Sequence, residues 1–419
     1  MDLKNPRTIQ DTANNFFDND GAEVFRLPKI HLIFALFKRY MELQKRQRIA
    51  LGTFFFMSGF AFSTWASRIP TIKAFFDLNE AQLGNLLLAM PVSSLVGLPI
   101  SGWLVSKFDS RNPLIVAYFF FALGLVIIGS ATEMIFLVTG ICLFAFSMRI
   151  LNISMNTQSL TLQKLFPRKI LGSFHGLWST GGLVGVLLST LFIKLNISMQ
   201  THFLSVAGIA AVLGIMSYGF LLPKDRATAG NKLRLGKPDK FILYLGLLIF
   251  FASLCEGGMF DWSGVYFREV VKEELFTLGY LIFMTFMAVS RFFSDRLIER
   301  FGMPKMFIIS SILISSGILL MILFPEFWPA ITGFSLVGVG VAAIVPMIFS
   351  LAGTSKKYSA GMAISIITTY GIVGMLLGPP LVGYIAHLFN LKISFLLFLF
   401  AGLSFIPVSR LFFMLKEEQ

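Results

Sequence analysis

The stretch SKFDSR, residues 106–111, is the most informative part of this chain, because it returns 189 positions later as DRLIER, residues 295–300. In both copies the second and sixth residues are cations, while the first is Ser106 in one copy and Asp295 in the other. The same offset relates three pairs of glycines: Gly172 and Gly361, Gly182 and Gly371, and Gly185 and Gly374. Matches that keep one offset without an insertion indicate an internal duplication.

The composition around this repeat is typical of a membrane protein. Hydrophobic residues make up 56% of the chain, charged residues only 14%, and 47 of the 419 residues are Phe. That charged fraction is roughly half of the value usual for soluble domains. The net charge is +13, but the Lys and Arg residues lie in short loops between apolar runs instead of forming one basic stripe. We therefore expect a lipid bilayer as partner and no nucleic acid.

Motifs that would indicate an enzyme or a metal site are missing from the sequence. Cys142 and Cys255 both lie in apolar stretches and are expected to be small buried hydrophobes. There is no H-E-x-x-H motif. The segment 230–237 differs from a phosphate-binding loop, because five residues separate its glycines and Pro238 follows its lysine. The sequence therefore predicts no enzyme, no cofactor and no transport driven by ATP.

Apolar segments of about the length needed to cross a bilayer recur through the chain, since a core of about 30 Å requires ~20 residues of helix. Backbone groups must pair within the segment in lipid, so these segments are predicted to be helices. We number them helix one to helix twelve: 49–69, 82–105, 113–130, 134–155, 171–193, 201–222, 241–265, 275–293, 306–324, 328–351, 359–388 and 391–413. The expected fold is an all-α polytopic membrane protein with twelve transmembrane helices.

The charges of the loops predict how these helices are oriented, because basic loops remain in the cytoplasm. Alternate loops are rich in Lys and Arg, whereas the loops between them contain few. The expected inner set is Lys107, Arg111, Lys164, Arg168, Lys169, Arg296, Arg300, Lys305, Lys356 and Lys357. Both termini are then cytoplasmic, and a basic cytoplasmic linker, 223–240, separates two pseudo-symmetric six-helix bundles, 49–222 and 241–419. Duplicated membrane halves of this kind are typical of secondary transporters, which hold a small solute between the repeats.

The region before the first helix has two parts. Residues 1–23 are polar and lack the apolar core of a signal peptide, so we expect a disordered cytoplasmic tail. Residues 24–48 alternate apolar and basic side chains, which favours an amphipathic helix on an anionic leaflet. The alternative is an ordinary basic flank of helix one.

The two-times-six plan, the basic linker and the repeated loop resemble the major facilitator superfamily, whose loop signature reads roughly G-x-L-x-D-R-x-G-R. Ser106 and Asp109 depart from this signature, replacing its usual Asp and Gly. Four positions of the first copy fit it: Gly102, Leu104, Lys107 and Arg111. The resemblance implies that this loop gates a rocking motion of the halves. The gating residues would be Lys107, Arg111, Asp295, Arg296 and Arg300. Asp295 would supply the acid of the signature, which Ser106 lacks.

Three shorter motifs resemble the YbjJ-type branch of bacterial inner-membrane permeases, which is distantly similar to fucose permease. They are WASRIP at 65–70, SFHGLWS at 173–179 and EGGMFDWS at 256–263. This resemblance implies a bacterial inner (cytoplasmic) membrane protein, and we expect it to function as a monomer. The identity of the solute does not follow from it.

Acidic residues and histidine at membrane depth are candidates for proton coupling, because an ionisable group in lipid is costly unless it is paired or wetted. Glu256 lies roughly 22 Å into helix seven, and the two glycines that follow permit a bent segment. Asp261 and His175 are further candidates. The alternative for Glu256 is a structural carboxylate paired with a neighbouring helix. Asp261 is expected to pair with Arg68, at the end of helix one, as a structural or gating ion pair.

Helix four offers a candidate binding surface for a solute. Arg149, Asn152 and Asn156 recur at helical spacing and therefore lie on one stripe. The Arg resembles the family's R-x-x-Q-G motif, with Asn152 in the position of Gln and Ile153 in that of Gly. Three tryptophans lie beside the polar positions, Trp65, Trp178 and Trp262, where their rings suit the apolar faces of cyclic solutes. The alternative for each is an ordinary interfacial side chain.

The leading hypothesis is proton-coupled symport of a small polar solute, sugar-like or an organic metabolite, by alternating access and driven by the proton motive force. A second hypothesis is proton-antiport efflux of an amphipathic compound. The G-x-x-x-G-P pattern typical of antiporters falls in helix eleven, at Gly374 to Pro379, instead of helix five. A third hypothesis, a non-transport membrane enzyme or sensor, lacks a catalytic constellation.

Overall fold

The computed structural model describes residues 27–167, 170–223, 225, 239–358 and 360–417, with the backbone alone for 27–40, 295, 360–362, 365 and 417. The membrane-crossing helices of these parts are α1 (Leu27–Ser67), α2 (Glu80–Lys107), α3 (Arg111–Ser130), α4 (Met134–Gln163), α5 (Leu171–Lys194), α6 (Met199–Tyr218), α7 (Lys240–Tyr266), α8 (Leu278–Phe301), α9 (Met303–Leu323), α10 (Phe327–Ala342, continued by Ile344–Ala352), α11 (Ala360–Leu388) and α12 (Leu391–Ser394, continued by Leu396–Glu417). A short helix, Ile69–Phe75, follows α1, and a π-helical turn, Phe267–Val271, follows α7.

These helices confirm the predicted all-α polytopic membrane fold. Among the described residues, 11 helices are long and apolar enough to cross a membrane. A shorter apolar stretch, Leu278–Ser294, belongs to α8 and includes Arg291.

Several helices are longer than their apolar segments. The sequence predicts that helices four and eight end at residues 155 and 293, but α4 continues to Gln163 and α8 to Phe301. Hydropathy detects only the part of a helix that lies in lipid, whereas the helical hydrogen bonds continue into the polar layer. Conversely, α10 is interrupted at Ala343, because Pro346 has no N–H with which to bond the carbonyl of Ala342.

The first helix is continuous where the sequence predicts a boundary between residues 48 and 49. It runs from Leu27 to Ser67 and ends before Pro70, whose ring does not fit inside an α-helix. The predicted tail lies outside the described residues, as does most of the linker. The expectation that 24–48 lies on a leaflet stays a prediction.

The packing of the helices repeats between the two halves of the chain, α1–α6 and α7–α12. In each half the first helix packs on the fifth, the second on the fourth, and the third on the sixth. Two of the three glycine pairs related by the sequence repeat, Gly182 with Gly371 and Gly185 with Gly374, lie at these crossings. A Cβ on Gly185 would collide with the Phe60 carbonyl of α1, and a Cβ on Gly374 with the Phe250 carbonyl of α7. The duplication therefore preserved a close helix crossing that requires a small residue.

We call the end of the bundle where α6 ends and α7 begins the linker face, and the opposite end the far face. The start of the linker is tied to the first copy of the repeated loop, because the backbone N–H of Ser110 donates to Asp225 Oδ1 at 2.8 Å and its hydroxyl donates to Oδ2. Burial raises the pKa of the Asp225 carboxyl, and these hydrogen bonds act in the opposite direction.

The two halves meet along two seams, α2 against α11 and α5 against α8. The α2–α11 seam is a close backbone crossing near the far face. A Cβ on Gly84 would lie 2.8 Å from the Pro379 carbonyl oxygen, and one on Gly383 would lie 2.5 Å from that of Glu80. The α5–α8 seam is made by side chains, with Thr190 Oγ1 and Thr277 Oγ1 2.8 Å apart.

Candidate functional site

An ion pair within the C-terminal half is the centre of the candidate site. Arg291 Nη2 on α8 donates to Glu256 Oε1 on α7 at 3.1 Å, and the two side chains are 30% and 16% exposed. Helix α7 is continuous through the two glycines that follow Glu256, so the bend that these glycines would permit is not formed. Gly258 instead makes room for a ring, because a Cβ there would collide with Phe398 of α12. The pair therefore lies at membrane depth on two continuous helices.

Sequence reasoning missed Arg291 as the partner of Glu256. The signal was present, because Arg291 is a cation in the apolar part of a membrane helix, where a charge is expected to be paired. It was overlooked because it adjoins the repeated loop, where cations are common. This ion pair agrees with the alternative interpretation of Glu256, a structural carboxylate that is paired with a neighbouring helix. The partial exposure of both side chains leaves the pair accessible to solute and water.

His175 extends this cluster to the N-terminal half. It lies on α5, is exposed, and its ring meets Phe55 edge-on with centroids 5.6 Å apart. Helix α5 packs against α8, the helix of Arg291, across the seam between the halves. The structure thus places two of the three predicted proton-coupling residues, Glu256 and His175, on helices that both pack against α8.

The polar stripe of α4 faces α2. Arg149 Nε donates to Ser94 Oγ at 2.8 Å, and Gly97 provides room beside the stem of this side chain. Asn156 Nδ2 donates to Asn152 Oδ1 at 2.7 Å, one helical turn away. All three residues of the stripe are half-buried. Lipid would not solvate such a stripe, so we expect its exposed part to face a polar environment.

The predicted pair between Arg68 and Asp261 is wrong. Arg68 is 5% exposed, and its guanidinium binds at the α5–α6 turn. Nη2 donates to the Ile197 carbonyl at 2.7 Å, and Nε donates to His202 Nδ1 at 3.2 Å. Comparable depth on helices one and seven did not bring the side chains together, because Arg68 turns into its own half. Asp261 is half-buried, and its charge acts on Tyr280 of α8.

The three tryptophans differ in their access to the space between the halves. Trp65 and Trp262 are 1% and 0% exposed, and neither indole N–H has a hydrogen-bond partner among the described residues. Both are therefore enclosed in the packed core. Trp178 is half-buried, with its ring centroid 6.1 Å from that of Phe62. Of the three, Trp178 alone is placed where a solute can reach its ring in this conformation.

The predicted gating cations stack on aromatic rings of their own half. Lys107 Nζ lies 4.8 Å from the ring centroid of Trp103, the Arg111 guanidinium 5.1 Å from that of Tyr218, and the Arg300 guanidinium 5.5 Å from that of Phe301. Arg296 is exposed. The side chain of Asp295, which was expected to carry the acidic role, lies outside the described residues. The gating role of this loop stays a prediction.

A polar network that closes the far face was not predicted. Lys73, in the short helix after α1, bonds Glu80 of α2 at 3.0 Å and also Glu269 after α7. Arg268 Nη1 donates to the Pro70 carbonyl at 2.7 Å. The bonds from Lys73 to Glu269 and from Arg268 to Pro70 join the two halves, as do three hydrogen bonds between side chains: Ser63 with Tyr280, Thr190 with Thr277, and Asn85 with Tyr384. We call these contacts the far-face latch.

The linker half of the bundle is open by comparison. A Cβ on Gly102 of α2, or on Gly172 or Gly176 of α5, would have no neighbouring atom within 4 Å. His175, one position before Gly176, is exposed as well. The linker end of α5 is therefore loosely packed. No group of three or more His, Cys, Asp or Glu that could hold a metal ion occurs among the described residues.

Comparison with known proteins places this arrangement in a family. The model of the Major Facilitator Superfamily matches residues 49–370 and 280–419. An uncharacterised MFS-type transporter of Yersinia pestis is 30% identical over 351 residues, which cover 83% of this chain and 91% of that protein. The membrane protein MosC of Rhizobium meliloti is 30% identical over 355 residues, covering 83% and 86%.

Two solved structures share the fold. The nucleoside transporter NupG has a TM-score of 0.66 at 14% identity, covering 87% of this chain and 98% of its own. A bacterial homologue of the human lysosomal transporter Spinster, inward-facing and unoccupied, has a TM-score of 0.67 at 13% identity, covering 89% and 98%. These matches do not distinguish the predicted branch, but the family is shown. This chain, with its duplicated six-helix halves around a polar cluster, belongs to the Major Facilitator Superfamily of membrane transporters.

Proposed function

We propose that this transporter carries out proton-coupled symport of a small polar solute by alternating access. The observation that supports the proposal is the Glu256–Arg291 ion pair, which lies at membrane depth and is partly exposed. The helix of Arg291 packs against that of His175 across a seam between the halves. A partly exposed ion pair stabilises a fold only modestly, because water screens the two charges. A carboxylate that exchanges protons requires access to water, and this pair has it.

The chemistry of the pair couples a proton to a change in charge. While Glu256 is ionised, it neutralises Arg291 and the pair remains closed. A proton that enters from the open side and binds a Glu256 oxygen removes that attraction and leaves Arg291 with a free positive charge. Since a lone charge at membrane depth is costly, the freed guanidinium favours a solute that can accept its hydrogen bonds. Proton and solute would then bind together.

The closed far face and open linker face support alternating access. In this conformation the far-face latch joins the halves at one end, whereas three glycines of α2 and α5 toward the linker face have open space beside them. Reorientation requires the latch to break and the linker ends of the halves to approach. The close α2–α11 crossing at Gly84 and Gly383 would have to separate in the same step.

The orientation belongs to the same proposal. The concentration of Lys and Arg in the loops of the linker face favours a cytoplasmic linker face, with both termini inside, in a bacterial inner membrane. The Gly374–Gly383 run does not favour efflux, because its glycines have a packing role. Gly374 lies against α7 and Gly383 against α2.

The test is accumulation of solute by proteoliposomes under an imposed pH gradient, with lumenal pH followed by a trapped dye while a panel of metabolites is added. Glu256→Gln keeps the shape of the side chain and removes its titratable charge. We expect this variant to lose accumulation against a gradient, so that the internal to external ratio falls to unity. Exchange at equal concentrations should persist, because exchange needs binding but no net proton release.

The matched control is Glu133→Gln, which changes an exposed acid at the far face before α4. It should accumulate solute like the parent protein. Full accumulation by Glu256→Gln would exclude Glu256 as the coupling group. Repeating the measurement with Asp261→Asn and His175→Gln would then show whether one of those residues carries the proton.

A further inference from the structure

The charges at mid-depth do not balance in the described structure. Arg149 of α4 lies fifteen positions from the far end of its helix and Arg291 of α8 thirteen from the far end of its own, which correspond to roughly 22 and 20 Å. Glu256 neutralises Arg291. Arg149 forms no ion pair with a described carboxylate, and its one hydrogen-bond partner among the described residues is the neutral Ser94.

A half-buried guanidinium without a counter-ion is costly at this depth, and an anion from solution would remove the cost. The hydrogen bond from Nε to Ser94 holds the plane of the Arg149 side chain while its terminal nitrogens remain available. A guanidinium that is oriented in advance binds carboxylate or phosphate oxygens through two parallel hydrogen bonds. The neighbouring amides of Asn152 and Asn156 suit hydroxyl groups on the rest of a solute.

Arg291 supplies the second cation from the other half. It becomes available when Glu256 no longer neutralises it. Other titratable groups lie on the helices around this pair, namely Tyr280 on α8, Asp261 on α7 and His175 on α5, while α12 packs its apolar Phe398 beside Gly258. Arg291 is thus the sole described cation paired with this carboxylate. An anion held by Arg149 and by the released Arg291 would link the two halves at mid-depth.

We propose that the transported solute carries a carboxylate or phosphate group, which binds between Arg149 of the N-terminal half and Arg291 of the C-terminal half. This inference rests on the proposed symport and specifies the chemical class of its solute. Glu256 and the solute anion are competitors for Arg291. A proton on Glu256 therefore strengthens binding of the anion, and the anion in turn draws the halves together.

Binding to purified protein tests the inference without reference to coupling. The probes are glucuronate and glucose, which differ by one carboxylate, together with succinate, inorganic phosphate and choline, each titrated in a thermal-unfolding assay. We expect at least one of the anions to stabilise the parent protein, and glucose and choline to have little effect. Arg149→Gln should weaken anion binding roughly 10- to 100-fold, as expected for loss of charged hydrogen bonds.

Two further variants test the competition for Arg291. Glu256→Gln should tighten anion binding, because it frees Arg291, whereas Arg291→Gln should weaken it. Arg149→Lys should recover part of the affinity, and Arg410→Gln, at an exposed position of α12, should leave it unchanged. Thermal unfolding of each variant without a probe identifies any variant that folds poorly. For such a variant, equilibrium dialysis with the same anions replaces the unfolding assay.

The outcomes separate this inference from the proposed symport. Stabilisation by the neutral or cationic probes alone, or by none of the anions, would overturn the anion site, while proton-driven accumulation of a neutral solute would preserve the symport. Anion binding that depends on Arg149 and Arg291 but drives no proton movement would support the anion site and exclude the coupling. Anion binding unaffected by either substitution would place the anion elsewhere and exclude the site.

Discussion

The far face and the linker face of this transporter are built differently, although they are two ends of the same twelve helices. At the far face the halves are joined by an ion cluster around Lys73, by hydrogen bonds between side chains, and by a backbone crossing at Gly84. At the linker face Gly102, on the same helix as Gly84, has no neighbouring atom within 4 Å of its Cβ position. One helix is therefore packed tightly at one end and free at the other.

This difference shows how the conformation is determined. Glycines at both ends of α2 are equally small, so size alone does not produce the contact. The far ends approach because polar groups pair there and because Pro379 and Pro380 present a backbone that Gly84 can accommodate. The far face is therefore the element whose stability sets the balance between the two orientations. Three substitutions test this, in order of decreasing expected effect.

The largest effect is expected from Gly84→Leu, because a Cβ at this position already lies 2.8 Å from the Pro379 carbonyl oxygen. Overpacking of this kind costs about 1–3 kcal/mol, which favours the far-open state roughly 5- to 150-fold. The measurement is the distance between spin labels at Leu195→Cys and Phe389→Cys, which are 60% and 67% exposed at the far ends of the two halves.

Gly102→Leu is the matched control, since the same change on the same helix enters open space. It should leave the distance distribution unchanged. Both experiments use a background in which Cys142 and Cys255 are replaced by Ala. If Gly102→Leu lengthens the distance as much as Gly84→Leu does, the contrast between the two faces is wrong.

An intermediate effect is expected from Lys73→Met. Lys73 is 8% exposed and lies between Glu80 and Glu269, so its removal leaves two carboxylates from opposite halves without their cation. Because both carboxylates are partly exposed, we expect a cost of about 1–2 kcal/mol, below that of a fully buried pair. The same spin-label distance should shift toward longer values, more at low than at high salt.

Lys357→Met is the control for this charge. Its partner, Asp239, lies 3.9 Å away at the linker face, and the Lys357 side chain is 62% exposed. No change in the far-face distance is expected. An unchanged distance in Lys73→Met as well would show that the ion cluster does not hold the halves together.

The smallest effect is expected from Tyr280→Phe, which removes one hydrogen bond of 2.8 Å to Ser63 across the halves. The cost should be about 0.5–1.5 kcal/mol, since Ser63 is buried and has no other hydrogen-bond partner across the halves among the described residues. Tyr218→Phe removes a bond to Asn112 within one half and is the control. An equal response of the two variants would exclude a specific role for the Ser63–Tyr280 bond.

Part of the candidate site was predictable because charge in lipid is costly. Glu256, His175 and Arg149 were identified from their depth in apolar segments, and the structure places Glu256 and His175 in one cluster. Their partners were not predictable, because a pair such as Glu256–Arg291 depends on which faces of α7 and α8 meet. The same limit explains Arg68, whose depth matches Asp261 but whose side chain turns to His202.

The sequence by itself determined the class, the duplication and the order of the helices. Composition, apolar length and a constant offset are properties of the chain, and a bilayer leaves the backbone few alternatives to helices. Only the tertiary structure decided which ends of the halves touch and which charges pair. Contacts such as Lys73 with Glu269, 196 positions apart, arise from the docking of two rigid halves. Docking depends on the shapes of whole helix faces, and no local pattern in the sequence encodes it.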